Sequence, residues 1–285
     1  MRLVSFAKNG ISGAGILHKD GILPLVGLGY DSAIAFVAAG EPARAQAEKH
    51  LSRASSTELL PPGSVRLVAP IPRPPKLLCV GLNYRDHAIE SKMEIPAVPT
   101  IFIKLSTAVI GSGDPIVVPD FITKPDYEAE LAFVIGKAGS RIPRDRWREH
   151  VFGYTILNDV SARDVQLATS QWMMGKSLNT FAPLGPHIVT ADEIPDPHVL
   201  DIRLSIGGET LQYSNTKEFI FPIPELVEFI SRLVPLEPGD VISTGTPSGV
   251  GLGRTPNRWL RAGEEVVVEI EKIGVLSNRV VAEAS

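Results

Sequence analysis

The stretch PDYEAELAFVIG (residues 125–136), followed by GYTILNDVSARDVQ (residues 153–166), decides the fold. Both segments predict strands, because apolar residues dominate 131–135 and 154–157. Successive side chains of a strand alternate between its two faces, so Glu128 and Glu130 point the same way. Two neighbouring carboxylates at the start of an apolar strand repel each other and resist burial, and a bound cation removes that cost.

Asp159 follows the second strand and supplies a third carboxylate if the two strands lie side by side. Oxygen donors without an interleaved Cys or His suit Mg²⁺, Mn²⁺ or Ca²⁺ rather than zinc. The alternative is a solvated face, which is the commoner explanation of an isolated Glu-x-Glu pair. The polar residues Arg163, Gln166 and Lys176, which come soon after, favour the metal site.

Composition limits the class of protein. A length of 285 residues allows about two domains, and 44% hydrophobic with 21% charged residues is ordinary for a globular protein. A net charge of −4 gives no electrostatic basis for binding nucleic acid or an anionic membrane. The single Cys79, the lack of an apolar run near ~20 residues and the polar N-terminus predict a cytoplasmic protein without a membrane segment.

The first 70 residues are expected to form a small α+β domain without clustered acid–base residues. Its predicted strands lie at 2–7, 13–17 and 21–25, and its helices at 31–39 and 42–53. Six prolines between positions 60 and 75 make a stiff, extended linker. We therefore predict two domains, residues 1–70 and a catalytic part at 71–285.

Short segments with many turns continue to the C-terminus. Residues 143–150 are predicted as a short helix with His150 exposed, and residues 224–233 as an amphipathic helix. Strands are predicted at 76–80, 101–105, 200–206, 210–214, 241–244, 265–271 and 275–281. With 24 prolines and 25 glycines, many of them in turns, the sequence predicts a β-rich α+β architecture.

His87 and Glu90 are three residues apart and share one face if their segment is a helical turn. A carboxylate beside an imidazole fixes its tautomer and raises its basicity, so the pair is a candidate general base. A solvated charged turn is the alternative that the spacing alone leaves open. The polar, helix-poor residues 92–99 are a candidate mobile cover over the site.

Gly249, Gly251 and Gly253 follow a predicted strand. No helix pattern and no Lys-Ser/Thr pair comes after them, which excludes the dinucleotide-binding and P-loop motifs. The glycines favour a loop whose backbone N–H groups, with Thr246, approach an anionic ligand. A purely structural loop is equally open from the spacing.

Five segments resemble the fumarylacetoacetate hydrolase family, in its acylpyruvase-like and 2-hydroxyhepta-2,4-diene-1,7-dioate isomerase-like bacterial branch. They are GLNYRDHAIE, YEAELAFVIG, NDVSARDVQ, GKSLNTFAPLGP and LEPGDVISTGTPSGVG, in the family's order from about residue 76 onward. The resemblance implies the family's mixed β-sandwich roll, preceded by a small N-terminal domain. It also implies a homodimer.

The resemblance implies a metal centre and an acid–base pair. Glu128, Glu130 and Asp159 fall on the family's metal-ligand positions, which implies Mg²⁺ or Mn²⁺, with Ca²⁺ as an alternative. His87 and Glu90 fall on the acid–base pair of the acylpyruvase-like branch.

Other positions match residues that contact substrate. Arg163 and Gln166 fall on such positions, Lys176 on one that also implies catalysis, and Thr246 in a loop that holds a substrate carboxylate. Asn179 stands where the family often has Asp, at a position that is not a ligand.

The reaction expected from this resemblance is the hydrolysis of a C–C bond in an acylpyruvate or another 2,4-dioxo acid. His87, held by Glu90, deprotonates a water that attacks the distal carbonyl, and the metal and Lys176 stabilise the departing pyruvate enolate. Decarboxylation of oxaloacetate and isomerisation of a 2-hydroxy-dienedioate need the same stabilisation and remain alternatives. A module that binds small dicarboxylates without turnover gives no reason for the His–Glu pair.

Overall fold

Short strands separated by turns make up most of the chain, as the sequence predicts. The computed structural model describes residues 1–8 and 10–284. In chain order, the strands are β1 (Arg2–Lys8), β2 (Ile11–His18), β3 (Gly21–Pro24), β4 (Arg66–Val68), β5 (Leu77–Gly81), β6 (Thr100–Ile103), β7 (Val109–Ile110), β8 (Ile116–Val118), β9 (Pro125–Asp126), β10 (Ala129–Ile135), β11 (Val151–Asn158), β12 (Ser161–Ala162), β13 (Ala182–Thr190), β14 (Asp201–Ile206), β15 (Glu209–Asn215), β16 (Val241–Ser243), β17 (Glu265–Ile270) and β18 (Gly274–Ala282).

The α-helices are few and mostly short. They are α1 (Ala33–Leu51), α2 (Arg85–Glu90), α3 (Arg163–Gln166), α4 (Met173–Lys176) and α5 (Ile223–Leu233). Short 3-10 helices cover Leu25–Leu28, Ser56–Glu58, Ser106–Ala108, Arg144–Glu149, Ala191–Glu193, Thr216–Glu218 and Gly251–Gly253. In the part of the chain that the structure describes, none of these helices has both the length and the apolar character that crossing a membrane needs.

Two sheets form the body of the fold, which confirms the predicted strand-rich α+β class. The main sheet has the order β3-β2-β1-β13-β11-β10-β16-β5-β6, with β4 beside β1 and β7 beside β13. It is mixed, because β10 is antiparallel to β11 and β16 whereas β16 is parallel to β5. The second sheet has the order β15-β14-β17-β18-β8 and faces the first, with β14 against β10 and β17 against β11.

Both faces of strand β10 are buried, which explains its unbroken apolar run. Leu131, Phe133 and Ile135 belong to the core cluster between the two sheets. Ala132 and Val134 belong to the cluster on the opposite face. A strand covered on both sides carries apolar residues at every position rather than at alternate ones.

The N-terminal strands extend the main sheet. Strand β1 pairs antiparallel with β13, with Arg2 opposite Val189. Leu3 and Phe36 share one core cluster with Val134 and Leu157 of the later part of the chain. The two parts are thus joined by backbone pairing as well as by side-chain packing, and the division at residue 70 stays a prediction.

The two N-terminal helices predicted at 31–39 and 42–53 correspond to the two halves of α1, which meet at a kink at Gly40. Gly40 has φ +63° and ψ −143°, outside the helical region, and Pro42 follows two residues later. The prediction that His150 is exposed was wrong. His150 ends the 3-10 helix Arg144–Glu149, is 7% exposed, and its Nδ1 lies 2.9 Å from the Lys137 carbonyl oxygen.

Burial of His187 in strand β13 predicts a loss of stability in mild acid. Burial, aided by the charge of Arg2, lowers the pKa of His187 from 6.5 to about 4. The unfolded chain therefore takes up a proton as the pH falls from about 6.5 towards 4, while the folded chain does not. Through this group the free energy of unfolding should be about 2 kcal/mol lower at pH 5 than at pH 7.5.

Urea unfolding of wild type and His187→Gln at the two pH values measures this contribution, since the variant should lose about 2 kcal/mol less than wild type between them. His50→Gln, at a half-exposed histidine of α1, is the matched control. An equal loss in wild type and His187→Gln would contradict the prediction.

Candidate metal centre

Carboxylates at the start of β10 and just after β11 meet at one point. Strand pairing places Ala129 opposite Asn158, and the Asp159 N–H donates to the Glu128 carbonyl at 2.9 Å. Carboxylate oxygens of Glu128, Glu130 and Asp159, one from each residue, lie within 4.8 Å of one another, and all three residues are buried. We call these residues the acidic trio. Clustered carboxylate oxygens of this kind can hold a divalent metal ion.

Buried cations compensate two members of the trio. The Lys176 ammonium donates to Glu128 Oε2 at 2.5 Å and to Asp159 Oδ2 at 2.7 Å. Lys104, only 2% exposed, donates to Asp159 Oδ1 at 2.5 Å. Arg163 donates from Nη2 to Glu128 Oε1. Lys176 thus lies between two of the carboxylates, where positive charge is most stabilised.

Glu130 lacks such a partner. Its Oε2 accepts hydrogen bonds from the Ser243 hydroxyl and the Gly245 N–H, and within residues 1–8 and 10–284 it forms no ion pair. Burial raises the pKa of Glu130 well above its ordinary value, and the carboxylates of Asp159 and Glu128 raise it further. A divalent cation among the trio would supply the charge that keeps Glu130 ionised, so these residues fit a metal ion.

The pKa of Glu128 shifts in the opposite direction to that of Glu130. Burial opposes its ionisation, but the charges of Arg163 and Lys176 outweigh burial and lower the pKa of Glu128. Burial likewise acts to lower the pKa of Lys176, and the carboxylates of Asp159 and Glu128 reverse this and raise it. Both groups therefore remain charged at neutral pH.

Arg163 is held from three directions. Its Nε donates to Asp126 Oδ2 at 2.8 Å, its Nη1 to Gln166 Oε1 at 2.9 Å and its Nη2 to Glu128 Oε1. Helix α3 begins at Arg163 and ends at Gln166, so one turn brings the two side chains together. These bonds fix the guanidinium beside the trio, and a direct role of Arg163 and Gln166 in substrate binding stays a prediction.

Helix α2 carries the predicted acid–base pair. The His87 Nδ1 lies 3.1 Å from Glu90 Oε2, as their three-residue spacing predicts. A carboxylate at Nδ1 favours the tautomer with its proton there, which leaves Nε2 able to accept a proton. The helix is anchored on β15, because the Ser214 hydroxyl donates to Asp86 Oδ2 at 2.6 Å.

One cavity of about 550 Å³ brings all of the predicted site residues together. Its lining includes His87, Glu90, Glu128, Glu130, Asp159, Arg163, Gln166, Lys176 and Thr246. Apolar side chains, among them Phe102, Leu167, Trp172 and Leu252, make up much of the remaining wall. Lys92 and Met93 also line it, and the movement of their segment stays a prediction.

Thr246 lies in the wall of the cavity, where its Oγ1 accepts a hydrogen bond from Gln212 Nε2 at 2.9 Å. The single 3-10 turn Gly251–Gly253 follows, and no α-helix starts there in the described part of the chain. This agrees with the exclusion of the dinucleotide-binding and P-loop motifs. A contact between Thr246 and a substrate carboxylate stays a prediction.

Sequence reasoning missed three polar residues of this site: Lys104, Asp126 and Ser243. Asp126 lies two residues before Glu128, so the same alternation that paired Glu128 with Glu130 could have found it. Lys104 is 55 residues from Asp159 in sequence, and Ser243 is 113 from Glu130. No local pattern indicates such distant pairs.

Comparison with known proteins supports the resemblance seen in the sequence. A family model described as "Fumarylacetoacetate (FAA) hydrolase C-terminal" matches residues 76–281. The chain is 44% identical over 248 residues to "Oxaloacetate tautomerase fahd2, mitochondrial" of Xenopus laevis, covering 86% of this chain and 77% of that protein. It is 47% identical over 220 residues to "Oxaloacetate tautomerase YisK" of Bacillus subtilis (strain 168), covering 76% and 73%.

The fold also matches solved structures along its whole length. One is the crystal structure of maleylpyruvate hydrolase from Sphingobium sp. SYK-6 in complex with manganese (II) ion and pyruvate. It superposes with a TM-score of 0.85 at 30% sequence identity and covers 100% of both chains.

Proposed function

This chain belongs to the fumarylacetoacetate hydrolase family of enzymes, and we propose that it interconverts the keto and enol forms of oxaloacetate or a closely related 2-oxo dicarboxylic acid. One observation carries the proposal: a His–Glu pair and a buried acidic trio open into the same cavity. The curated relatives described above, at 44% and 47% identity, are named oxaloacetate tautomerases.

Keto–enol interconversion requires only two proton transfers. One proton leaves C3 and one is delivered to the oxygen on C2, so no bond between carbons breaks and no water is consumed. A divalent cation bound by the trio would supply electrostatic stabilisation of the negative charge that develops on that oxygen. The remaining requirement is a group that carries a proton.

His87 meets this requirement. Its Nε2 accepts the C3 proton, and Glu90, 3.1 Å from Nδ1, stabilises the resulting imidazolium. The same nitrogen then returns a proton to the C2 oxygen, so the reaction balances without a co-reactant. We propose that Lys176, whose ammonium lies against Glu128 and Asp159, donates a hydrogen bond to the substrate oxygen.

The cavity can also orient a dianionic acid. Lys92, Arg163 and Lys176 line it, and together with a divalent cation bound by the trio they would offset the two carboxylates of the substrate. Gln166 and Thr246 add uncharged hydrogen-bonding groups. We propose that these residues hold the 2-oxo acid with C3 towards His87.

Hydrolysis of an acylpyruvate or another 2,4-dioxo acid is the second candidate. A cavity of about 550 Å³ with apolar side chains in its wall has room for substrates longer than oxaloacetate. The maleylpyruvate hydrolase in complex with manganese and pyruvate has the same fold. Here His87 would deprotonate a water. Oxaloacetate decarboxylation and 2-hydroxy-dienedioate isomerisation use the same enolate chemistry.

The metal and the assembly are proposals as well. Oxygen donors suit Mg²⁺ or Mn²⁺, with Ca²⁺ as the weaker alternative, and the solved relative contains manganese. The homodimer and the cytoplasmic location stay predictions from the sequence, and light scattering of the purified protein tests the first of them.

Parallel assays distinguish the candidate reactions. With Mg²⁺ or Mn²⁺ present, the protein should accelerate the loss of the ultraviolet absorbance of enol-oxaloacetate, and chelation should abolish the acceleration. Pyruvate release from oxaloacetate, acetylpyruvate and maleylpyruvate reports decarboxylation and hydrolysis. Rapid pyruvate release from acetylpyruvate, with no acceleration of oxaloacetate tautomerisation, would overturn the proposal in favour of hydrolysis.

A further inference from the structure

The glycine-rich loop at residues 245–253 binds the protein's own carboxylates. Its backbone N–H groups were expected to approach an anionic ligand, and in the structure they face four acidic side chains of the site instead. The Gly245 N–H donates to Glu130 Oε2 at 3.0 Å and the Gly249 N–H to Glu90 Oε1 at 2.8 Å. The N–H groups of Gly251 and Leu252 both donate to Asp126, at 2.7 and 3.0 Å.

The fourth carboxylate is Asp86, which stands next to His87. The Ser248 N–H approaches Asp86 Oδ1 at 3.4 Å, and the Ser214 hydroxyl donates to Asp86 Oδ2 at 2.6 Å. Helix α2 therefore contacts the loop through both Asp86 and Glu90. Backbone N–H groups are rigid donors, so they define where a carboxylate lies more tightly than flexible side chains do.

Gly253 leaves space for the Glu90 carboxylate. A Cβ at position 253 would lie 2.6 Å from the Glu90 carboxyl carbon and 2.9 Å from each of its oxygens. The backbone at Gly253 is not left-handed, so alanine can adopt its conformation. The three nearest atoms all belong to the end of the Glu90 side chain, which is flexible and can move at small cost to stability.

The loop also reaches the acidic trio. Asp126, fully buried, accepts from Gly251 and Leu252 on the loop and from Arg163 Nε at 2.8 Å. Arg163 in turn donates to Glu128. A chain of hydrogen bonds therefore runs from Glu90 through the loop and Asp126 to the trio.

We propose that residues 249–253 form a positioning loop that sets the Glu90 carboxylate, and through it the His87 imidazole, at a fixed place relative to the acidic trio. Gly253 is a positioning residue because any side chain there displaces Glu90. The proposal rests on the proton-transfer role given to His87 and Glu90 above. It assigns to Gly253 a function in the reaction that is exerted through Glu90.

A double-mutant cycle tests whether Gly253 acts through Glu90. Gly253→Ala should lower kcat about 10–100-fold with little change in KM, since a displacement near 1 Å can cost about 100-fold. Glu90→Gln should lower kcat by a similar or larger factor. If Gly253 acts through Glu90, the double variant should lie within about threefold of Glu90→Gln alone. Multiplied losses would overturn the proposal.

Gly27→Ala is the matched control. Gly27 lies in the 3-10 helix Leu25–Leu28 with nothing within 4 Å of its would-be Cβ and without a left-handed φ. Its kcat should equal that of wild type. If Gly253→Ala loses no more kcat than Gly27→Ala, the proposal that residues 249–253 position Glu90 would be contradicted.

Hydrogen exchange of the Gly249 amide provides a readout that does not depend on activity. Displacement of Glu90 removes the acceptor of this N–H, so its exchange should be about tenfold faster in Gly253→Ala and unchanged in Gly27→Ala. Unchanged Gly249 protection in Gly253→Ala would overturn the proposal. The two proposals can fail separately. If the wild-type protein is inactive on oxaloacetate, the proposed function is refuted. If Gly249 exchange is nevertheless faster in Gly253→Ala, the role of the loop in holding Glu90 is still supported.

Discussion

Glu130→Gln should abolish metal-dependent activity while preserving the fold. Glutamine has the same shape, and its side-chain oxygen can accept the hydrogen bonds that the Ser243 hydroxyl and the Gly245 N–H donate to Glu130. The variant lacks one of the three anionic oxygens of the trio. We expect the Kd for Mn²⁺ or Mg²⁺, measured by calorimetry, to rise at least about 100-fold, with activity at fixed metal falling in parallel.

Thermal unfolding gives an independent measurement of the same change. At 100 times its Kd, a metal ion that binds only the folded state stabilises wild type by about 2.7 kcal/mol, and at the same metal concentration this gain should fall to about 0.4 kcal/mol or less in Glu130→Gln. With chelator present, the variant should be at least as stable as wild type, because it no longer buries a carboxylate without a cationic partner. Glu209→Gln, at the exposed start of β15, is the control. Wild-type metal affinity in Glu130→Gln would show that the trio is not the binding site.

His87→Ala should lower kcat about 10²–10⁴-fold and leave metal affinity unchanged. General acid–base catalysis contributes a factor of that size. The His87 ring pairs with Glu90, and the described residues show no hydrogen bond from it to the acidic trio. Metal binding by calorimetry, together with kcat and KM for oxaloacetate tautomerisation, separates the two effects.

His50 provides a matched control for this substitution. Its Nε2 lies 3.0 Å from Glu58 Oε1, so it forms a second His–Glu pair, but it does not line the cavity of the trio. His50→Ala should therefore have wild-type kcat. Parallel losses of metal affinity and kcat in His87→Ala would indicate that His87 supports the structure of the site rather than proton transfer.

Local patterns in the sequence were enough to find two pairs of polar residues that line the cavity. The spacing of Glu128 and Glu130 in a strand, and of His87 and Glu90 on a helical turn, follows from backbone geometry alone. In the structure Glu128 and Glu130 are both buried at the start of β10, and the His–Glu pair forms at 3.1 Å. The residues of each pair are only two or three positions apart, so a local sequence pattern is sufficient to predict them.

The glycine-rich loop shows the limit of such patterns. The glycines predict that backbone N–H groups approach an anionic ligand, and in the structure these groups donate to carboxylates of the protein. They could not indicate which anions, because Glu90 lies 159 residues before Gly249 and Asp126 lies 125 residues before Gly251. The same glycine pattern is expected whether the loop binds an external anionic ligand or the protein's own carboxylates.

The sequence by itself determined the strand-rich α+β class, the central buried strand and the acidic residues at its start, because each follows from side-chain alternation and apolar runs within a few residues. The tertiary structure alone decided that β1 joins the sheet through β13, that Lys104 lies against Asp159, and that Glu130 forms no ion pair with the described side chains. The reason is that charge compensation in a buried site depends on which distant segments the folded chain brings within about 3 Å of one another.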